Sequence, residues 1–343
     1  MTNSKKQIIS VSRRTDIPAY YGDWFMKRME TGSVGYINPF GGRKYSLSLQ
    51  KDNVLFFVFW SKNYEPFLDH LDKLDYMGYK FYFQFTITGL PNIFEPNVIE
   101  WRQAVDTAQK LSERYSPEHV LWRFDPIVFS SISPPEMIFE QFQRILKAIH
   151  GATKRCYFSY VIHYGKVQRN FEKLYDTNRI SFFVDENEKA KLKIRQGITD
   201  KAFICNIEHG QKKDFALRLA KESANYGIDL YTCCGDYLIN DKAPYIYKAR
   251  CIDGDLIGKL LNQPADMLKI NPTRKECGCF DSRDIGVYDT CPHGCCYCYA
   301  NVNKKTAEKN YTELIKNKGC YALLSNADES EFPMIPPQQR ELF

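Results

Sequence analysis

The sequence predicts an α/β fold, a TIM-like partial or full (β/α) barrel built on parallel strands. Two observations carry that expectation. Short segments rich in aromatic and β-branched residues, the composition that suits strands, alternate with segments of helical period through the first 235 residues. They recur about every 30–40 residues, enough for a crossover helix between each pair, so successive strands run parallel.

The strand segments are residues 8–12 (IISVS), 54–60 (VLFFVFW), 79–88 (YKFYFQFTIT), 119–124 (HVLWRF), 156–163 (CYFSYVIH) and 228–233 (IDLYTC). Helical segments lie between them. Residues 65–76 end at Gly78, which serves as a C-cap, and residues 100–115 follow the third strand. Ser133-Pro-Pro-Glu136 reads as a helix start, with Ser133 as N-cap, Pro at the first position and Glu136 completing the box. Behind it Ile138, Phe142, Ile145 and Ile149 share one face, and Gly151 closes the helix. Residues 214–226 end at Gly227.

The organisation read from this is a main barrel portion over 1–236, with 165–213 as an insertion or long excursion. A Cys-rich region over 237–326 completes the barrel. It holds a further strand at 284–288 (DIGVY) and a helix at 303–317. Residues 327–343, polar and Pro-rich, form a flexible tail.

Hydrophobic residues make up 44% of the chain and charged residues 26%, which places it among globular proteins rather than disordered or fibrous ones. The longest apolar run, residues 54–60, is far short of the roughly 20 residues that span a membrane. The N-terminal MTNSKK leads into no apolar signal core, so the expectation is a cytoplasmic protein. In that compartment the 12 cysteines do not form a disulfide framework. Ten of them follow residue 230, and such clustering points to metal or redox chemistry. The net charge of +6 is compatible with an anionic substrate or a nucleic acid.

Cys291-Pro-His-Gly-Cys295-Cys-Tyr297-Cys298 is the sharpest motif, spaced C-x3-C-x2-C. Three thiolates so placed suit three irons of a cubane, and they leave the fourth iron open. The loop follows a strand and precedes a helix, the context of a site at the C-terminal end of a barrel strand. Zinc sites more often pair C-x2-C knuckles; zinc and free thiols stand as the alternatives. Cys296 is expected to turn away from the metal. Cys234, Cys251, Cys277 and Cys279 are candidates for a second metal site, iron–sulfur or zinc, with separate buried thiols as the plainer reading. Cys156, Cys205 and Cys320 read as ordinary thiols.

Strand ends supply the polar candidates: Ser10, Ser12, Arg13, Arg14 and Asp16 after the first, Lys62 and Asn63 after the second, Thr86 and Thr88 on the third. Arg123 and Asp125 end the fourth, and His163 and Lys166 follow the fifth. Arg13, Arg14, Arg123 and Asp125 are the foremost, either as groups that bind a charged cofactor or as structural ion pairs.

Cys291, Cys295, Tyr297 and Cys298 resemble the radical S-adenosylmethionine (radical SAM) signature. The resemblance implies a 4Fe–4S cluster on the three cysteines, with SAM chelating the open iron and Tyr297 near its adenine. It implies reductive SAM cleavage, hydrogen abstraction from a substrate, and an electron donor such as flavodoxin or ferredoxin. The segments SRRTDIP (12–18), WSKN (60–63), FQFTIT (83–88), WRFDP (122–126) and CGC…DIG…DTCPHGC (277–295) resemble an uncharacterised bacterial domain-of-unknown-function family with cysteines of this type near its C-terminus. Parts also resemble the spore photoproduct lyase-like group, which implies a nucleic-acid substrate. Radical SAM barrels begin with the cluster strand, whereas here it comes last. The barrel is therefore expected to be circularly permuted, with strand 284–288 beside strand 8–12.

The terminus, Gln339-Arg-Glu-Leu342-Phe343, resembles the peptide by which replication and repair proteins dock on the sliding clamp, with Leu342 and Phe343 as anchors. The leading functional expectation is a radical SAM-type enzyme. Its rivals are a non-catalytic iron–sulfur or zinc protein that senses redox state or binds nucleic acid, and a barrel enzyme whose cluster is structural.

Overall fold

The computed structural model describes residues 6–39, 41–184, 204–206, 209–239, 245–264 and 268–334. Eight strands form one parallel sheet: β1 (Gln7–Val11), β4 (Val54–Ser61), β5 (Phe81–Thr86), β6 (Val120–Ile127), β7 (Arg155–Tyr160), β10 (Asp229–Thr232), β11 (Ile246–Lys248) and β12 (Arg283–Asp284). Their order is β11-β10-β7-β6-β5-β4-β1-β12. The sheet is open, which corrects the closed-barrel form of the expectation. Its two end strands are three and two residues long, so each presents few backbone groups for a closing ladder. Outside it, β2 (Ser33–Ile37) and β3 (Lys44–Ser48) make an antiparallel pair, and β8 (Phe182–Val184) and β9 (Ile204–Asn206) a parallel one.

The chain divides into two compact units. The first comprises 1–85, 250–292 and 300–343. Here β1 lies between β4 and β12, with Ile9 opposite Arg283 and Ser10 opposite Asp284, so the last strand does lie beside the first. The helices of this unit are α1 (Ile17–Tyr20), α2 (Gly22–Thr31), α3 (Leu68–Tyr76), and later Gly254–Leu261 and Lys304–Leu314. Every residue of β4 except Leu55 and Trp60 is buried, as a strand covered on both faces must be. Phe25 of α2 meets Phe57 and Phe59 edge-on at 5.6 and 5.7 Å. The polar tail expected from residue 327 begins as ordered chain: Ser46 N–H donates to the Pro333 carbonyl at 2.9 Å, and Phe332 packs on Tyr321.

The second unit comprises 86–249 and 293–299. It carries α4 (Trp101–Arg114), α5 (Pro135–Ile149), α6 (Gly165–Asn178) and α7 (His209–Asn225). Helices α8 (Gly254–Leu261) and α9 (Lys304–Leu314) belong to the first unit. Trp122 of β6 stacks on Phe142 of α5 at 5.2 Å. The predicted cap of α5 is corrected. Pro134, constrained to extended backbone by Pro135 behind it, takes the cap position, and Pro135 opens the helix. Ser133 instead donates to the Val128 carbonyl at 2.8 Å, and Glu136 pairs with Arg218.

Strand 284–288 is also shorter than expected. Only Arg283 and Asp284 pair. The Asp284 carboxylate accepts the Gly286 N–H at 3.1 Å, and a Cβ on Gly286 would fall 1.9 Å from Ser12 Oγ. The chain turns out of the sheet there because the glycine lets it pass against β1's end. No helix among the described residues is long and apolar enough to cross a membrane.

Candidate metal centre and its supports

The three-cysteine loop is built by its backbone. Gly294 adopts φ +69°, a left-handed turn that glycine takes without strain. The Cys298 N–H then donates to the Cys295 carbonyl at 3.2 Å. Asn301 Nδ2 holds the Cys291 carbonyl at 2.7 Å. Just upstream, Tyr21 OH donates to the Thr290 carbonyl at 2.5 Å, and burial pushes that phenol up. Cys295 and Cys296 are buried, while Cys291 and Cys298 are half-buried. Cys296 is pinned by its backbone: its N–H donates to Phe94 and its carbonyl accepts from Asn170.

Tyr297 has a fixed partner that the sequence did not suggest. Its hydroxyl donates to the carboxylate of Glu95, which is buried and also accepts from Thr88 Oγ1 at 2.8–2.9 Å. Burial, then the neighbouring Glu95 charge, pushes the Tyr297 phenol well up. His293 of the same loop is buried, with Nδ1 3.1 Å from the Asn97 carbonyl. Glu95 lies in a Pro-rich connection with no periodicity, so nothing local marked it.

Arg13 and Arg14 converge on Asp284, a second residue the sequence reading passed over. Asp284 accepts from Ser10 Oγ (2.7 Å), Ser12 Oγ (2.6 Å) and the Arg13 N–H (2.8 Å), with Arg13 Nε 3.7 Å away. Burial opposes its ionisation, but the charges of Arg14 and Arg13 and the Ser12 bond hold it below the usual carboxylate range. Arg14's guanidinium also sits over the rings of Tyr36 and Tyr288. Asp16 caps α1 and accepts from Ser61 Oγ and the Lys62 N–H. In the second unit Arg123 pairs with Asp125, which also accepts from Ser159, and the guanidinium lies over Tyr157 at 5.8 Å.

Of the second cysteine group, Cys251, Cys277 and Cys279 lie in the first unit, and the Ile252 N–H donates to the Cys279 sulfur at 3.5 Å. The neighbouring thiols of Cys251 and Cys277, with burial, push the Cys279 thiol up. Cys234, with φ +54° after β10, belongs to the other unit. Among the described residues no three His, Cys, Asp or Glu side chains are gathered as the ligands of a single ion are. By donor chemistry the three thiols of Cys291, Cys295 and Cys298 are of the kind that both iron–sulfur clusters and zinc take. The terminal Gln339, Leu342 and Phe343, expected to dock on a clamp, lie outside the described residues, as does much of 165–213.

A family model described as a domain of unknown function (DUF1848) matches residues 8–300. No curated protein matches the chain. Among solved structures, a crystal structure of D-hydantoinase is similar over 66% of this chain and 40% of its own, at 9% identity and a TM-score of 0.28. The chain thus spans less than half of that protein, and the likeness is too loose to bear on fold or chemistry.

Proposed function

The chain belongs to the DUF1848 family, and from that premise we propose that it is a radical SAM-type iron–sulfur enzyme. The observation that carries the reading is the C-x3-C-x2-C loop, with Tyr297 immediately before its third thiol. In this reading Cys291, Cys295 and Cys298 hold a 4Fe–4S cluster whose open iron takes SAM. The pairing of β12 with β1 supports a circular permutation, in which the cluster-bearing strand of an open, barrel-like sheet comes late in sequence.

When bound and reduced, the cluster supplies the electron for SAM cleavage, delivered by a donor such as flavodoxin or ferredoxin. The protein's part is positioning. Glu95, itself held by Thr88, fixes Tyr297 by its hydroxyl, and in this reading the tyrosine lies near the adenine. Arg123 with Asp125, and Arg13 with Arg14, are the charged groups proposed to orient cofactor or substrate. A nucleic-acid substrate accords with the net charge of +6.

Anaerobic reconstitution tests this. We expect about four irons per chain at the loop, a change in the cluster's electron paramagnetic resonance signal on adding SAM, and 5′-deoxyadenosine on reduction. Iron-loaded protein that makes none, with a signal indifferent to SAM, would overturn the enzyme reading in favour of a non-catalytic iron–sulfur protein.

A further inference from the structure

Helix α2 buries Trp24, Phe25, Met26 and Met29 in the first unit, and with them a cation, Arg28, which is only 6% exposed. Trp24 and Arg28 stand four residues apart, so they share one face of the helix. That face meets the segment 320–323. Trp24 Nε1 donates to the Cys320 carbonyl at 2.9 Å, and the Arg28 guanidinium sits over the Tyr321 ring at 5.6 Å. Tyr321 is itself fixed. Its hydroxyl lies 2.5 Å from Ser46 Oγ, and its carbonyl accepts the Gly35 N–H at 2.9 Å.

The guanidinium has no counter-charge. Its Nε is sealed from solvent with no hydrogen-bond partner. The acids of the surrounding elements are engaged elsewhere. On α2, Asp23 pairs with Lys318 and His70, and Glu30 with Lys73 and Lys27. In the segment 320–334, Asp328 caps the turn at Glu329–Glu331, Glu329 accepts from Ser33, and Glu331 pairs with Lys44. The strands β2 and β3 contain no acid. Among the described residues Arg28 therefore forms no ion pair. A guanidinium does not escape burial by losing its proton. A ring contact returns only part of what it costs to take a charge out of water.

We propose that Arg28 anchors a site for the carboxylate group of a small organic acid. Charge selects the class, since one buried guanidinium balances one negative charge. A carboxylate carries one, whereas a phosphate monoester at neutral pH carries close to two. Shape agrees, because the planar fork of N–H donors matches the two oxygens of a carboxylate. The aromatic and aliphatic neighbours Trp24, Met29 and Tyr321 suit a short, poorly hydrated acid. Residues 320–323 belong to no helix or strand, so a shift of that segment admits a group of this size.

The test uses the full-length chain and acetate, the probe that asks for least room. Titration calorimetry at constant ionic strength in chloride should show saturable binding of one acetate per chain. Binding should weaken in Arg28→Lys, which keeps the charge and loses the fork, and should be lost in Arg28→Met. No saturable heat with the wild-type chain, or equal binding by Arg28→Met, overturns the site. Inorganic phosphate that binds as tightly as acetate, or more tightly, overturns the carboxylate class. In acetate-free buffer Arg28→Met should unfold at a urea concentration no lower than wild type, because an apolar side chain replaces a buried unpaired charge. A lower midpoint, or a variant that does not fold, would show the guanidinium already satisfied within the chain and is equally a contrary result. The site draws on neither the loop at 291–298 nor its metal, so failure of either proposal leaves the other standing.

Discussion

The two thiol groups differ in how they are made. Cys291, Cys295 and Cys298 sit within eight consecutive residues, and their spacing is a property of one loop turned by Gly294. Cys251 and Cys279 come near one another only because a buried strand fixes one turn and a folded-back segment presents the other. A contiguous group survives local disturbance of its surroundings; an assembled one reports on the packing that assembles it. Damage to shared scaffold should therefore separate them.

The largest separation is expected from Cys295→Ala. Iron content and 5′-deoxyadenosine formation should fall to background, while the alkylation rate of Cys279, read by peptide mass spectrometry, stays within about twofold. A change in both would show the two groups to be one.

Asp284→Asn comes next, because Asp284 lies in the segment joining the groups and anchors β12 to β1. Removing one partner from a buried charged cluster costs about 3–5 kcal/mol, measurable by urea unfolding. The pH dependence has a definite sign. The folded carboxyl titrates below the ordinary value of about 3.9, so between the two values the unfolded chain binds more protons. The pair's contribution is fully present above about pH 4 and is lost as pH falls through the lowered value. The Asn variant should show a flatter acid limb than wild type; an identical limb would mean the Arg charges do not stabilise Asp284.

Gly254→Ala targets the assembled group alone. A Cβ there would lie 2.6 Å from the Phe280 ring, and such overpacking costs about 1–3 kcal/mol. The urea unfolding midpoint should fall while iron loading at the loop holds. Smallest is Asn301→Ala, which frees the Cys291 carbonyl at about 0.5–1.5 kcal/mol. It should loosen iron retention, read as iron lost per chain on incubation with a chelator.

Legibility in sequence follows the same division. The strands β4 and β6 were readable because each is a continuous apolar or aromatic run, and the loop was readable because its ligands are neighbours. Asp284 was not, since its partners Ser10, Ser12 and Arg13 lie more than 270 positions away. Glu95 was hidden for a like reason, with Tyr297 some 200 positions on. The α5 cap misled because two prolines in a row moved the helix start by one residue. The open sheet was not foreseen because strand composition sets which segments pair, and says little about whether short end strands close a ring.

The pairing of Ser10 with Asp284 across 274 positions also sets an order of events during synthesis. At roughly 5–20 residues per second, the outer edge of β1 waits about 15–55 s before its partner emerges from the ribosome. Every cysteine proposed here as a ligand is made near the end of that interval or after it. The newborn chain has thus laid down most of its scaffold before it exposes the three clustered thiols of the loop.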